Sequence, residues 1–111
     1  MREKFSHAFR GLRDGLADHS VRFQMLLAVM AVIAGIVLKL DGTEWIQVIL
    51  CIGMVLSTEM LNTCIEKTCD LISRQEKEEI RLIKDLSAGA VLTASVCALV
   101  SAMIILWRRF I

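Results

Sequence analysis

The sequence predicts an all-α integral membrane protein, with an N-terminal amphipathic surface helix followed by three transmembrane helices. Three observations predict it. Hydrophobic residues make up 56% of the 111 residues and charged residues still 23%, so the two populations are segregated along the chain. The apolar residues gather in three runs, and there is no proline to interrupt any of them. The net charge is only +1, with 13 basic against 12 acidic side chains, which gives none of the sign bias of a nucleic-acid binder. Four cysteines with no C-x-x-C pair and no secretory signal read as neither a disulfide framework nor a structural zinc site. The length suits a single domain, 1–111.

Taken in order, residues 1–20 form the surface helix. Phe5, Phe9, Leu12 and Leu16 recur at helical spacing on one face, and Arg2, Lys4, Arg10, Arg13 and Asp14 supply the polar remainder. The first span covers 23–40, built on sixteen uncharged residues between Arg22 and Lys39, with Phe23 and Gln24 extending it toward the headgroups. Asp41-Gly42-Thr43-Glu44 is the turn between spans, and Thr43 or Asp41 can cap the second helix. That helix covers 43–72. Its apolar part runs from Trp45 to Thr58, but no Gly or Pro stops it there, so it continues with polar groups on one side. The third span, 85–107, contains twenty-two residues without formal charge from Leu86 to Trp107. At about 1.5 Å per residue such a helix crosses a hydrocarbon core of about 30 Å. Basic residues in the N-terminal segment and in the loop Ser73 to Lys84, including Arg74, place both on the cytoplasmic side. Arg108 and Arg109 run against that orientation.

The polar face of the second helix is the strongest functional signal. At about 100° per residue, Glu59, Asn62, Glu66 and Asp70 fall within an arc of about 80°. Three carboxylates and an amide thus form one stripe at the cytoplasmic end of a membrane-crossing helix. An ionisable residue at membrane depth marks a functional site by default, and Glu59 is the deepest. Carboxylates one or two turns apart repel unless a cation or proton lies between them. Oxygen-rich sites suit Mg²⁺, a common companion of phosphate, and a desolvated Glu59 suits a general base or proton carrier. Lys84 and Asp85 form a second cluster. Lys84 suits phosphate oxygens as a point charge, while Asp85 either orients it, approaches the metal, or caps the third helix. The small row Ser87-Ala88-Gly89-Ala90 lets that helix approach the stripe closely. Asp18 and Arg22 form a third pair, either a simple i,i+4 salt bridge or a metal ligand with a phosphate-binding arginine. His7 and His19 match no metal motif, and no cysteine has a neighbouring base.

Glu59-Met60-Leu61-Asn62-Thr63-Cys64-Ile65-Glu66, then Asp70, then Lys84-Asp85-Leu86-Ser87-Ala88-Gly89-Ala90-Val91, resembles the prokaryotic diacylglycerol kinase family, which includes the undecaprenol kinases. The resemblance covers nearly the whole chain. It implies a homotrimer in the bacterial inner membrane, with a cytoplasmic N-terminus, that moves the γ-phosphoryl of ATP to a lipid alcohol at the cytoplasmic interface. It implies that Glu59 is the catalytic base and Asn62 its nearby amide, that Glu66 binds metal, and that Lys84 and Asp85 contact nucleotide. Asp18 aligns with a metal-ligating position that is usually glutamate, and Arg22 with an arginine of an F-R pair, here with Val21 before it. Asp70 falls to the nucleotide side. Mg²⁺ is the implied metal and ATP the co-substrate. The Thr63 to Glu66 and Leu86 to Val91 stretches look closer to Gram-positive members, which favours undecaprenol over diacylglycerol. The loop Gln75 to Ile83 lacks the histidine and proline common there. Two other classes compete: a proton-coupled small multidrug transporter, which normally needs four spans with its glutamate in the first, and a noncatalytic membrane subunit using the stripe as interhelical glue.

Overall fold

The computed structural model describes residues 2–73, 75 and 77–111. Arg74 and Glu76 of the basic loop, and Met1 of the surface helix, lie outside the described residues. Four helices run in chain order: α1 (Arg2–Leu16), α2 (His19–Leu38), α3 (Gly42–Ile72) and α4 (Glu78–Phe110). No described residue is in a strand. The last three are each long and apolar enough to cross a membrane. α4 packs chiefly along α3, α2 also packs on α3, and α1 touches α2.

The helix contacts keep a seven-residue spacing. Val21, Ala28 and Gly35 are buried on α2, and Ile80, Ser87 and Ala94 on α4. A repeat of seven keeps one narrow seam facing a neighbouring helix. Most seam residues are small, which lets membrane helices approach closely where lipid removes any hydrophobic drive for association. The large apolar side chains point the other way, so Leu26, Ile33, Ile36, Ile49, Leu50, Leu92 and Leu99 are all exposed, as lipid-facing residues would be.

The helix ends refine the sequence reading. α1 ends at Leu16 rather than near residue 20, because Asp18 leaves the surface helix to cap α2, accepting from Ser20 N at 3.1 Å and Val21 N at 3.3 Å. α2 accordingly starts at His19 and stops at Leu38. Of the two caps open for α3, Asp41 is the one used, in a reciprocal capping box with Glu44. α4 begins at Glu78, so residues 78–84 are helix rather than loop. Its N-cap is Lys77, and Asp85 lies in the helix interior, where it caps nothing.

The α2–α3 turn is close. Lys39 adopts the left-handed conformation at φ 57°, with Lys39 N donating to Ile36 O and Leu40 N to Gly35 O, a Schellman-type ending. Gly42, the glycine of the turn, is the first residue of α3 and needs no positive φ. Gly35 needs its missing side chain for space, since a Cβ there would lie 2.7 Å from the Trp45 ring.

Arg109 has a structural task that accounts for its place against the charge orientation. Its Nη2 donates to Lys39 O and lies 3.6 Å from Glu44 Oε1, tying the end of α4 to the α2–α3 turn. Glu44 is buried, so removing its cation strands a charge. We expect Arg109→Met to destabilise the fold by about 3 kcal/mol, read as a lowered thermal midpoint in detergent. Arg108→Met, at the exposed neighbouring position, serves as the control and leaves the midpoint within about 1 °C.

Candidate active site at one end of the helix bundle

Antiparallel connections bring the start of α2, the end of α3 and the start of α4 to the same end of the bundle. Every candidate site residue therefore lies at that end. α3 has 31 residues, a length of about 46 Å at 1.5 Å per residue, well beyond a core of about 30 Å. Its last turns can stand clear of the hydrocarbon. Glu59 and Asn62 are buried, while Glu66 and Asp70 are exposed.

Asn62 joins α3 to α4. Its Nδ2 donates to Glu66 Oε1 at 3.1 Å, and its Oδ1 accepts from Ser87 Oγ at 2.6 Å. Both ends of the amide are thus committed, which fixes its orientation. Ser87 Oγ also lies 2.9 Å from Lys84 O, so the hydroxyl belongs to the turn that carries Lys84. Ser87 belongs to this polar cluster, a place the sequence reading missed, since one serine in a row of small residues carries no chemical signal. Its place on the seam, seven residues from both Ile80 and Ala94, is the trace that marks it as facing α3.

Lys84 Nζ lies 2.8 Å from Asp70 Oδ1, linking α4 to the end of the stripe. Asp85 does not turn toward the stripe. It pairs with Arg81 at 2.6 Å, and Arg81 also bonds Glu78. Its exposed position puts it on the far side of α4 from Asn62. Asp85 and the stripe are thus apart in a single chain.

Asp18 and Arg22 form no ion pair. Asp18 Oδ2 serves the α2 cap and also accepts from Thr63 Oγ1 at 3.3 Å, fastening the start of α2 to α3 one turn beyond Glu59. Arg22 is exposed beside it. Asp18 and Glu66 both act electrostatically on Glu59, and Gln24, two residues past Arg22, is half-buried and lines the space between α2, α3 and α4. Gln24 therefore faces the bundle rather than the headgroups.

Below Glu59 a groove of about 640 Å³ opens between α2, α3 and α4. Gln24 and Leu56 line its upper end, and Val48, Ala98 and Ile105 line it farther down. It is largely apolar and runs along the three long helices from the turn before the buried carboxylate toward the α2–α3 turn.

Among the described residues no three His, Cys, Asp or Glu side chains converge as a ready metal cage. Mg²⁺ does not require one, since it keeps several waters and usually takes one or two carboxylates together with substrate phosphates. The donor chemistry fits. Glu66 is exposed and accepts from Asn62 through Oε1, and Asp18 accepts its three hydrogen bonds through Oδ2, so each carboxylate has a second oxygen to offer.

The model of the prokaryotic diacylglycerol kinase family matches residues 6–106. The chain is 33% identical over 104 residues to an undecaprenol kinase of Bacillus subtilis (strain 168), covering 93% of this chain and 85% of that protein. It is 28% identical over 105 residues to a diacylglycerol kinase of Escherichia coli (strain K12), covering 94% and 86%. A diacylglycerol kinase of Synechocystis is 30% identical over 98 residues, which make up 86% of this chain and 56% of that protein.

Proposed function

Because the chain belongs to the prokaryotic diacylglycerol kinase family, we propose that it transfers the γ-phosphoryl group of ATP to the hydroxyl of a membrane lipid alcohol. The observation that carries this reading is the buried Glu59 one turn along α3 from Val55 and Leu56, which line the apolar groove. A lipid tail lying in that groove would bring its polar end to the one buried carboxylate among the described residues at this end of the bundle. Undecaprenol is the acceptor we favour, with diacylglycerol the competing one. The site faces the cytoplasm in a bacterial inner membrane, and the chain assembles as a homotrimer whose clefts lie between subunits. Trimerisation gives Asp85 and Arg22, which a single chain leaves exposed, a second subunit to meet.

In the proposed reaction Glu59 accepts the hydroxyl proton as the lipid oxygen bonds to the γ-phosphorus. The bond from that phosphorus to the β,γ-bridging oxygen breaks, and ADP leaves. Asn62, clamped by Glu66 and Ser87, keeps the wall beside Glu59 rigid. Lys84 exchanges Asp70 for phosphate oxygens, and Arg22 and Asp85 complete the nucleotide side. Mg²⁺, held by Glu66 with Asp18, would neutralise charge developing on the β- and γ-oxygens. Phosphoryl transfer needs such positioning and charge more than covalent help from the protein.

The test is a competition in one bilayer holding undecaprenol and diacylglycerol at equal mole fraction, with γ-labelled ATP and Mg²⁺. Label in undecaprenyl phosphate is the expected result. A preference for diacylglycerol of about tenfold in kcat/KM, worth about 1.4 kcal/mol, overturns the acceptor choice but not the mechanism. Label in neither lipid overturns both.

A further inference from the structure

α2 meets α3 along a stripe of Val21, Gln24, Ala28 and Gly35, spaced three, four and seven residues apart. Val21, Ala28 and Gly35 are buried, and Gln24 is half-buried. Gln24 carries the only polar side chain of the stripe. A primary amide on the packing face of a membrane helix costs free energy unless it has a partner and a purpose.

Two features meet at this amide. One is Glu59: the contact of Thr63 with Asp18 sets the antiparallel register of α2 on α3, which puts Gln24 opposite the turn of α3 that leads into Glu59. The other is the apolar groove, which Gln24 lines next to Leu27 and Leu56. Leu56 precedes Glu59 by three residues on α3, so Gln24 stands where the groove meets the turn that carries the carboxylate. The other amide of the site, Asn62, is oriented by Glu66 through Nδ2 and by Ser87 through Oδ1, so it is set by the stripe and α4 and not by the groove. An ionised carboxylate only accepts hydrogen bonds, whereas a glutamine amide offers two N–H donors and a carbonyl. One N–H can hold Glu59 while the rest of the amide meets a hydroxyl entering from the groove.

We propose that Gln24 is a positioning residue, whose amide holds the Glu59 carboxylate toward the head of the groove and so aims it at the acceptor hydroxyl. The inference rests on the lipid-kinase reading above and extends it to a residue outside the acidic stripe. Misplacing a reacting group by about 1 Å costs on the order of 10²-fold in rate. Gln24 therefore acts on kcat, not on the binding of ATP.

The test uses the full chain in bilayers with ATP, Mg²⁺ and both undecaprenol and diacylglycerol. Gln24→Met keeps the length, suits an apolar stripe and removes the donor. It lowers kcat about tenfold or more while the KM for ATP stays within about twofold. Gln24→His, which retains an N–H donor, recovers most of the loss. In a Glu59→Gln background, Gln24→Met costs nothing further, since the group it would aim is already gone. A loss of equal size in that background reveals mere packing and overturns the proposal. So does an unchanged kcat, or a loss that appears in the KM for ATP. Should Gln24→Met fail to fold, Gln24→Asn carries the same test, because it keeps the amide and withdraws it by one methylene. It lowers kcat, and an unchanged kcat overturns the proposal. Wild-type chain that labels no lipid refutes the kinase reading itself. Wild-type transfer with Gln24 variants at full rate refutes only the role of Gln24.

Discussion

Glu59→Gln lowers phosphoryl transfer by about 10²–10⁴-fold, the range of a positioned general base. The substitution retains size and most hydrogen-bonding capacity, so the helix contacts around residue 59 persist. The KM for ATP stays close to the wild-type value, because the nucleotide is held by Glu66, Lys84 and their neighbours. The same variant gains thermal stability. Glu59 is buried, and Asp18 and Glu66 add negative potential to it. A neutral amide removes that repulsion. Activity lost while stability rises is the signature of a residue kept for chemistry at a cost to the fold. Matched kcat in E59Q and wild type, from activity assays beside thermal melts in the same detergent, would show that the proton leaves by another route.

Glu66→Gln has the second large effect, and it differs in kind. Asn62 donates to Glu66 Oε1 at 3.1 Å, and a glutamine carbonyl can accept the same bond. The clamp through Asn62 to Ser87 therefore survives, and what is lost is the carboxylate charge. We expect kcat/KM for ATP with Mg²⁺ to fall about 10²-fold or more, equivalent to about 3 kcal/mol of charge stabilisation. Raising Mg²⁺ recovers part of the loss in E66Q and none in E59Q. Nucleotide binding measured with a fluorescent analogue separates the two variants: E66Q weakens it and E59Q does not. Identical losses with unchanged Mg²⁺ dependence would refute the division of roles between the two glutamates.

The stripe is legible in the sequence because period and chemistry agree. Carboxylates at residues 59, 66 and 70 share one face of a helix that no Gly or Pro interrupts, and that face lies at one end of an apolar run. The spans are legible from hydropathy alone. The start of α4 is not, since its charged first turns look like a loop beside the apolar run. Residues 78–84 are helical because Arg81 bridges Glu78 and Asp85 at i,i+3 and i,i+4 spacing, while Lys84 reaches across to Asp70. Exposed charge pairs on a helix face leave no hydropathy signal. Asp18 shows a second limit. A short acidic side chain before an apolar run is a good cap, and the spacing to Arg22 suggests an ion pair that does not form. Asp18 instead caps α2 and takes the hydroxyl of Thr63, 45 residues away, a contact visible only once α2 and α3 are antiparallel. Arg109 likewise looks like an exception to charge orientation until its bond to Lys39 O gives it a structural task.

The groove is invisible in the sequence for a similar reason. Its walls come from three helices, and no single segment encodes a concavity. Gln24, polar on an otherwise small and apolar stripe, leaves a trace of it, as do Gln47, Ser95 and Ser101 in the apolar runs of α3 and α4.

The most direct measurement tracks the γ-phosphoryl group itself. Purified chain in a lipid bilayer receives γ-labelled ATP, with label on lipid and label in inorganic phosphate counted from the same sample. Mg²⁺ and the lipid alcohol are each withheld in turn. Label is expected on lipid only when both are present, with little label passing to water in any sample. Release of inorganic phosphate that ignores the lipid alcohol, or label on no lipid with undecaprenol and diacylglycerol both supplied, would contradict phosphoryl transfer to lipid by this chain.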